Sequence, residues 1–283
     1  MEVIMAESAG FCFGVKRAVD RVTELAESGK KPVCTYGPII HNEFVVRQLE
    51  EKGVRVIRTE EELEAVSGGT IVIRSHGVSR EIQNKMEQLG AEVVDATCPF
   101  VKKIHRIVEK AGEDGLVTII AGDPDHPEVQ GIVGWAKGPV FVIRDEQDLE
   151  KIEIPNGKKA ILVAQTTFNK AKFEDIVEIF RETRYYENVI NTVCNATDER
   201  QTEARKISRV VDAMIVVGGR HSSNTQKLYN ICKEECRNTY FIETLDDLST
   251  QPFRLFSSVG ITAGASTPNR IIEEVREYVR TKL

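Results

Sequence analysis

Short apolar runs and longer amphipathic stretches alternate along the whole chain. The runs are rich in Val and Ile and are bounded by turn residues, whereas the stretches between them end in Gly or Lys. This alternation is typical of parallel α/β units, in which strands buried on both faces are connected by helices. The pattern predicts strands at residues 3–6, 32–36, 70–74, 117–121, 160–164, 213–217 and 257–262.

Cys12, Cys98 and Cys194 divide the chain into three near-equal parts, and each precedes a predicted helix. These helices cover residues 15–28, 101–111 and 198–211. Each part continues with a strand, a polar loop, a helix, a strand, a second polar loop and another helix. The third part ends at the C-terminus, so the N-terminal strand supplies the one that it lacks. A repeat of this length predicts three small α/β domains with pseudo-threefold symmetry: residues 13–97, 98–193, and 194–283 with 1–12.

Polar residues recur at matching distances after the three cysteines. The first set, at 29, 28 and 28 residues, is His41, His126 and Ser222. The second set, at 64, 68 and 72 residues, is His76, Thr166 and Ser266. Ligands of open parallel sheets bind beyond the carboxyl ends of the strands, where such loops meet helix N-termini. We therefore expect both sets and the cysteines to face one central site.

Composition and charge restrict the partners of that site. Hydrophobic residues make up 41% and charged residues 29%, as in a globular protein. The net charge of −6 gives no general attraction to nucleic acid or an anionic membrane, so neither is expected as a partner. No apolar run approaches the roughly 20 residues that cross a bilayer, and the N-terminus lacks a secretory pattern. We expect a cytoplasmic protein whose cysteines bind metal or act in catalysis, since disulfides are rare there.

The three repeated cysteines have the spacing of cluster ligands. A helix N-terminus favours the thiolate, the form that binds zinc and iron–sulfur clusters. Structural zinc sites draw two ligands from one short knuckle, and this trio contains no such pair. Three thiolates on a four-iron cluster would leave one iron open to substrate. Any one of the three, taken alone, is better explained as a buried apolar residue, and only their equivalent placement favours the cluster. Cys34 is expected in the core. Cys232 and Cys236, at i and i+4 on a predicted helix, could pair on a metal, but packing as small apolar residues is the favoured interpretation.

Two of the polar loops suggest specific chemistry. Ser222, Ser223 and Asn224 precede a predicted helix at residues 225–235 and offer donors for a phosphate group, although simple N-capping explains them as well. His126 is followed closely by Glu128, and a carboxyl with restricted solvent access has a raised pKa and can deliver protons. The alternative for this glutamate is a first-turn acid that stabilises its own helix.

Thr166 and Thr167 have two interpretations of the same kind. They orient that acid or a substrate hydroxyl, or they cap the helix that follows. Neither a GxGxxG fingerprint after the first strand nor a GxxxxGK[ST] loop occurs in the sequence, so NAD and ATP are not expected as ligands.

Nine ordered motifs closely resemble those of the 4-hydroxy-3-methylbut-2-enyl diphosphate reductases, and the match covers essentially the whole chain. They are Gly10-Phe-Cys12-Phe-Gly-Val, Ile40-His41-Asn-Glu, Arg74-Ser-His76-Gly, Ala96-Thr-Cys98-Pro, His126-Pro-Glu128, Gln165-Thr-Thr167, Asn191-Thr-Val-Cys194, Ser222-Ser-Asn224 and Gly264-Ala-Ser266-Thr-Pro. The chain differs from the usual family pattern at His221, where asparagine often precedes the Ser-Ser-Asn run.

The resemblance implies an iron–sulfur enzyme with the following site. The [4Fe-4S] cluster would be held by Cys12, Cys98 and Cys194, with its fourth iron taking the terminal hydroxyl of the substrate. The residues implied for the allylic diphosphate are His41, His76, Ser222, Ser223, Asn224 and Ser266, with His126, Thr166 and Thr167 lining the pocket. Glu128, assisted by Thr166, would relay protons.

The reaction implied is a two-electron, two-proton removal of the hydroxyl that gives isopentenyl and dimethylallyl diphosphate. A ferredoxin or flavodoxin-type donor would supply single electrons to a monomeric enzyme. Two hypotheses of other classes remain: a non-catalytic sensor with the same cluster and pocket, and a zinc-stabilised α/β protein without a common site. A carboxylate beside the anion site favours the enzyme, because anion binding alone does not need one.

Overall fold

Twelve strands and eleven α-helices alternate along the part of the chain described here, residues 1–29, 32–66, 68–248 and 256–282 of a computed structural model. The strands are β1 (Glu2–Met5), β2 (Val33–Tyr36), β3 (Val54–Ile57), β4 (Thr70–Ile73), β5 (Glu92–Asp95), β6 (Val117–Ala121), β7 (Val140–Ile143), β8 (Ala160–Ala164), β9 (Tyr186–Val189), β10 (Ala213–Val217), β11 (Thr239–Ile242) and β12 (Ser258–Ala263). The helices are α1 (Phe13–Glu27), α2 (Glu43–Glu51), α3 (Glu60–Glu64), α4 (Arg80–Gln88), α5 (Pro99–Glu113), α6 (Pro127–Val133), α7 (Glu146–Glu150), α8 (Lys170–Arg181), α9 (Asn195–Ser208), α10 (Ser223–Glu235) and α11 (Asn269–Lys282).

The strands form three parallel sheets of four strands that share one order. Sheet 1 runs β3-β2-β4-β5, sheet 2 runs β7-β6-β8-β9, and sheet 3 runs β11-β10-β12-β1. Sheet 3 takes its fourth strand from the N-terminus, where Glu2–Met5 pairs with residues 258–261 of β12. The predicted α/β fold of repeated parallel units is confirmed, as is the N-terminal strand that completes the third unit.

The strand predictions are accurate and the helix starts are displaced. Strands 117–121, 160–164 and 213–217 match β6, β8 and β10 to the residue. The helices after the three cysteines begin two or three residues earlier than predicted, directly after each cysteine. In α5 the cause is local, because Pro99 occupies the first helical position, which its fixed φ suits and where no N–H is needed.

Apolar residues on both faces explain why these strands are continuous hydrophobic runs. In sheet 3, Ile215 and Ile261 face a cluster that includes Val275 of α11. The intervening residues Met214 and Val216 face a second cluster, formed with α9 and α10. Sheet 2 is divided in the same way between α8 on one side and α5 with α6 on the other. Burial on both faces removes the polar alternation of a surface strand.

Contacts divide the chain into two compact units. Unit 1 contains Met1–Lys16, Ile40–Arg47 and Asn195–Leu283, and unit 2 contains Arg17–Ile39 and Gln48–Cys194. Sheet 3 lies in unit 1, and sheets 1 and 2 lie in unit 2. Each of the three predicted domain intervals holds the strands of one sheet, while the boundaries at residues 13, 98 and 194 stay predictions. Within the described ranges, no helix has the length and apolar character of a membrane span.

Candidate functional site

The three repeated cysteines occupy the same place in their three sheets. Each follows the fourth strand of its sheet, directly precedes a helix, is partly exposed and forms no disulfide with a described residue. Each backbone N–H donates to a carbonyl oxygen in the loop after the third strand. These bonds join Cys12 to Ala265 (3.2 Å), Cys98 to Ser75 (2.9 Å) and Cys194 to Thr166 (2.9 Å). The predicted position at helix N-termini is confirmed, and the equivalence extends to individual hydrogen bonds.

Ser75 and Ala265 are site residues that sequence reasoning missed. They act through main-chain carbonyl oxygens, which every residue has, so their side chains gave no signal. The only available indication was position, because each neighbours His76 or Ser266 in a polar loop already identified.

In unit 1 three polar loops approach each other beyond the end of sheet 3. The Oγ atom of Ser266 lies 3.4 Å from Oγ of Ser222 and 3.3 Å from the carbonyl oxygen of His41. A Cβ atom at Gly219 would lie only 2.7 Å from that same carbonyl oxygen, so the absence of a side chain permits the close approach. The structure thus brings His41, Ser222 and Ser266 together.

The Ser222-Ser-Asn224 run was predicted to precede its helix, but only Ser222 does so. Helix α10 begins at Ser223, and Ser222 is its N-cap, with Oγ accepting a hydrogen bond from Thr225 N–H at 3.4 Å. The earlier start follows from this cap, so Ser222 has the N-capping role that was the alternative to phosphate binding. Asn224 is 5% exposed, and its Nδ2 atom has no hydrogen-bond partner within the described residues. A buried amide donor of this kind suits an anionic ligand.

In unit 2 the two predicted histidines are in contact. The rings of His76 and His126 lie 5.5 Å apart, edge to face. His126 is the N-cap of α6, and its Nδ1 atom accepts a hydrogen bond from the N–H of Glu128 at 3.1 Å. A neutral ring that accepts through Nδ1 carries its proton on Nε2. The cap therefore makes Nε2 a donor when the ring is uncharged.

Glu128 is fixed by Thr166 through both carboxylate oxygens. Its Oε1 accepts from Thr166 N–H at 2.6 Å, and its Oε2 accepts from Thr166 Oγ1 at 2.8 Å. The glutamate is 2% exposed and lies in the first turn of α6. Because the carbonyl oxygen of Thr166 accepts from Cys194 N–H, one threonine joins the acid to a predicted cluster ligand.

The alternative in which the threonines cap the next helix is wrong. Asn169 caps α8, and its side chain accepts from the N–H of Lys172. Thr167 is half-buried beside Thr166. Thr166 makes the two hydrogen bonds to Glu128 that the orienting hypothesis requires, and its role stays a prediction.

The other three cysteines are core residues. Cys34 is buried in β2 among the apolar residues of sheet 1. Cys232 and Cys236 are buried with α9 and the strands of sheet 3. Burial raises the pKa of Cys232 to about 11, which opposes the thiolate form that a metal would need.

Comparisons with known proteins match the chain over nearly its whole length. The family model described as "LytB protein" matches residues 3–280. The 4-hydroxy-3-methylbut-2-enyl diphosphate reductase of Caldanaerobacter subterraneus subsp. tengcongensis is 45% identical over 282 residues, covering 99% of this chain and 97% of that protein. The enzyme of the same name from Geobacter sulfurreducens is 45% identical over 284 residues, with the same coverage.

Two solved structures have the same fold. A structure of (E)-4-hydroxy-3-methyl-but-2-enyl diphosphate reductase, described as the terminal enzyme of the non-mevalonate pathway, is 40% identical with a TM-score of 0.72, covering 99% of both chains. The structure of E-1-hydroxy-2-methyl-but-2-enyl-4-diphosphate reductase from Plasmodium falciparum is 28% identical with a TM-score of 0.91, covering 99% of this chain and 88% of that one. This chain belongs to the LytB protein family.

Proposed function

We propose that this chain is an iron–sulfur oxidoreductase that removes the hydroxyl group of 4-hydroxy-3-methylbut-2-enyl diphosphate and forms isopentenyl and dimethylallyl diphosphate. This is the last step of the non-mevalonate isoprenoid pathway. The observation that carries the proposal is the buried Glu128 carboxylate, which Thr166 holds at both oxygens and connects to Cys194. A fixed acid next to a thiol ligand suits a reaction that consumes protons and electrons together.

The donor set fits an iron–sulfur cluster, the cofactor of LytB reductases. Cys12, Cys98 and Cys194 form no disulfide with a described residue and are partly exposed, and each directly precedes a helix N-terminus, whose partial positive charge suits an anionic cluster. We assign a [4Fe-4S] cluster to these three residues. When bound, such a cluster supplies single electrons and, with three protein ligands, keeps one iron open to substrate.

The diphosphate needs donors because the chain itself is net negative. We assign His41, Ser222, Ser223, Asn224 and Ser266 to it in unit 1, and His76 in unit 2. The buried Nδ2 donor of Asn224 and the N-terminus of α10 support this assignment, since both stabilise negative charge. His126 and Thr167 line the same proposed pocket.

The proton chemistry falls to Glu128. Removal of the hydroxyl consumes two electrons and two protons and releases one water. Glu128 donates a proton to the departing oxygen, while Thr166 keeps the carboxyl in place. We further propose that a ferredoxin or flavodoxin-type carrier supplies the electrons, and that the enzyme acts as a cytoplasmic monomer.

The test is anaerobic turnover with an artificial one-electron reductant. We expect brown protein with about four irons per chain that converts the hydroxylated diphosphate to both products. An intact cluster without product would instead support the sensor. Zinc in place of iron would contradict both cluster hypotheses and leave the zinc-stabilised protein.

A further inference from the structure

Arg17 lies five residues after Cys12, on α1, yet its side chain binds the peptide that leads to a different cysteine. Its terminal nitrogens donate to three consecutive carbonyl oxygens just before Cys98, the shortest bond being 3.1 Å: those of Asp95, Ala96 and Thr97. Among the residues that the structure describes, no carboxylate lies within ion-pair distance of Arg17. The guanidinium therefore binds main-chain carbonyl oxygens, and no ion pair with a described residue neutralises its positive charge.

Arg200 makes the corresponding contact in unit 1. It lies six residues after Cys194, on α9, and its Nη2 atom donates to the carbonyl oxygen of Gly10 at 2.7 Å. The side chain is 5% exposed, and Nη1 also donates to the carbonyl oxygen of Ala196 at 2.9 Å. Gly10 stands two residues before Cys12, so this arginine fixes the segment that carries another predicted cluster ligand.

The same segment is constrained at further points. The carboxylate of Glu203, also on α9, accepts from the N–H groups of Glu7 (2.8 Å) and Ser8 (3.0 Å). Gly10 has a φ of +104°, and a Cβ atom there would lie 2.5 Å from Oδ1 of Asn269, so glycine is required at this position. The approach to Cys12 is thus held in one conformation.

The two contacts share one pattern. In each, an arginine on the helix that follows one cysteine donates to a carbonyl oxygen in the segment before another cysteine. The approach to Cys194 is secured differently, by Thr192, whose Oγ1 accepts from Ala164 N–H at 2.8 Å. On the other side of each Cα atom, the carbonyl oxygen of Cys12 accepts from Lys16 N–H (2.9 Å) and that of Cys98 from Lys102 N–H (3.0 Å), so the main chain is held on both sides. This fixes the direction of each Cα–Cβ bond and hence of each thiol.

We propose that Arg17 and Arg200 are positioning residues for the iron–sulfur centre, each orienting a cysteine ligand through its peptide while its charge offsets the repulsion among gathered thiolates. The proposal rests on the function proposed above. Arginine suits the role because its planar fork binds several carbonyls and never loses its proton. The charge matters because three thiolates and a diphosphate add negative charge to a chain that already carries −6.

The test compares glutamine and lysine variants after anaerobic reconstitution. Arg17→Gln and Arg200→Gln remove both the guanidinium and its positive charge. Arg17→Lys and Arg200→Lys remove the planar guanidinium but keep a positive charge. The matched controls are Arg21→Gln on α1 and Arg205→Gln on α9, whose arginines pair with surface glutamates. Readouts are iron per chain, the rate of iron loss to a chelator, and the midpoint potential. Circular dichroism of each metal-free variant reports folding.

We expect both glutamine variants to lose iron about tenfold faster than the controls and to have a lower midpoint potential. The lysine variants should lose iron faster while keeping a potential near that of the unsubstituted chain. Folded Arg17→Gln protein with unchanged iron loss and potential overturns the proposal, even if Arg200→Gln does not fold. Failure of the unsubstituted chain to bind iron would overturn the proposed function first; a stable cluster that is indifferent to both arginines overturns only the positioning role.

Discussion

Thr166 serves the site with three different groups of a single residue. Its N–H and its hydroxyl bind the two oxygens of Glu128, and its carbonyl oxygen accepts from Cys194 N–H. A carboxylate bonded at both oxygens cannot rotate about its Cγ–Cδ bond, so its orientation is fixed. Thr166 therefore supports both the Glu128 carboxylate and the main chain of Cys194, a proposed cluster ligand.

Replacing Glu128, the proposed proton donor, should affect turnover and substrate affinity differently. We expect Glu128→Gln to keep its cluster and its affinity for the allylic diphosphate, because the side-chain volume is nearly unchanged. Turnover should fall by about 100-fold or more, since the amide cannot donate a carboxylic proton. Anaerobic initial rates measure the first effect, and calorimetric titration with the diphosphate measures the second.

Glu146→Gln is the matched control for that substitution. Glu146 also lies in the first turn of a short helix, α7, without the threonine contacts. The turnover rate of the Glu146→Gln variant should equal that of the unsubstituted chain. Full activity in Glu128→Gln would remove this glutamate from proton transfer.

The sequence allows predictions about the side chains of the candidate site but not about its main-chain contacts. Glu128, Thr166 and the cysteines stand out because their chemistry is specific and their spacing repeats, and their roles stay predictions. The contacts of Arg17 could not be predicted in that way. Its acceptors lie 78 to 80 residues further along the chain, and carbonyl oxygens have no sequence signature.

At the scale of the element, helix α5 begins directly after Cys98 and carries a buried histidine, His105. His105 is 5% exposed, and its ring stacks on Trp135 at 5.1 Å. A Cβ atom at Gly77, whose φ is +75°, would lie 2.8 Å from Cε1 of His105. The loop that carries His76 therefore rests directly on this helix.

The buried ring predicts a loss of stability in acid. Burial lowers the pKa of His105 to about 4, a shift that the charge of Lys102 supports and that of Asp95 opposes. The unfolded chain takes up this proton near pH 6.5 and the folded chain near pH 4, so stability falls as the pH drops through that window. The full effect is about 3 kcal/mol, at roughly 1.4 kcal/mol per pKa unit.

His105→Phe should remove this pH-dependent part of the stability, because phenylalanine can still stack on Trp135 and does not titrate. The measurement is the thermal unfolding midpoint of both proteins at pH 7 and pH 5. We expect the unsubstituted chain to lose more on acidification than the variant. Parallel pH profiles would show that His105 is protonated in the folded protein.

Elements were predictable from sequence where burial alone determines them. Strands β6, β8 and β10 are apolar on both faces, so each apolar run ends where its strand ends. Helix starts depend instead on single capping groups. Ser222 moved the start of α10 by two residues through one hydrogen bond, which no periodicity contains.

At the scale of the whole molecule, unit 1 depends on both ends of the chain. β1 covers the edge of β12 with a parallel ladder from Glu2 to Met5. Deleting residues 2–5 should leave a three-stranded sheet with an exposed edge. We expect the amides of β12 to exchange hydrogen about tenfold faster or more, while those of β6 and β8 in unit 2 keep their protection.

Exchange measured by mass spectrometry on the deletion variant and on Glu2→Gln tests this dependence. The point substitution leaves the ladder intact and serves as the control. Equal protection of β12 in the two variants would mean that sheet 3 is complete without its N-terminal strand.

The pairing of β1 with β12 also sets an order for folding during synthesis. Of the twelve described strands, β1 is made before the others, and its partner β12, residues 258–263, is made after them. Domains fold as they emerge, so sheets 1 and 2 have all their strands while β1 still waits for a neighbour. During that interval the segment before Cys12 has no sheet to hold it. Cys12, although made before Cys98 and Cys194, is therefore the last of the three whose preceding strand enters a sheet, and a cluster held by all three, as proposed, would form only after residues 258–263 have been made.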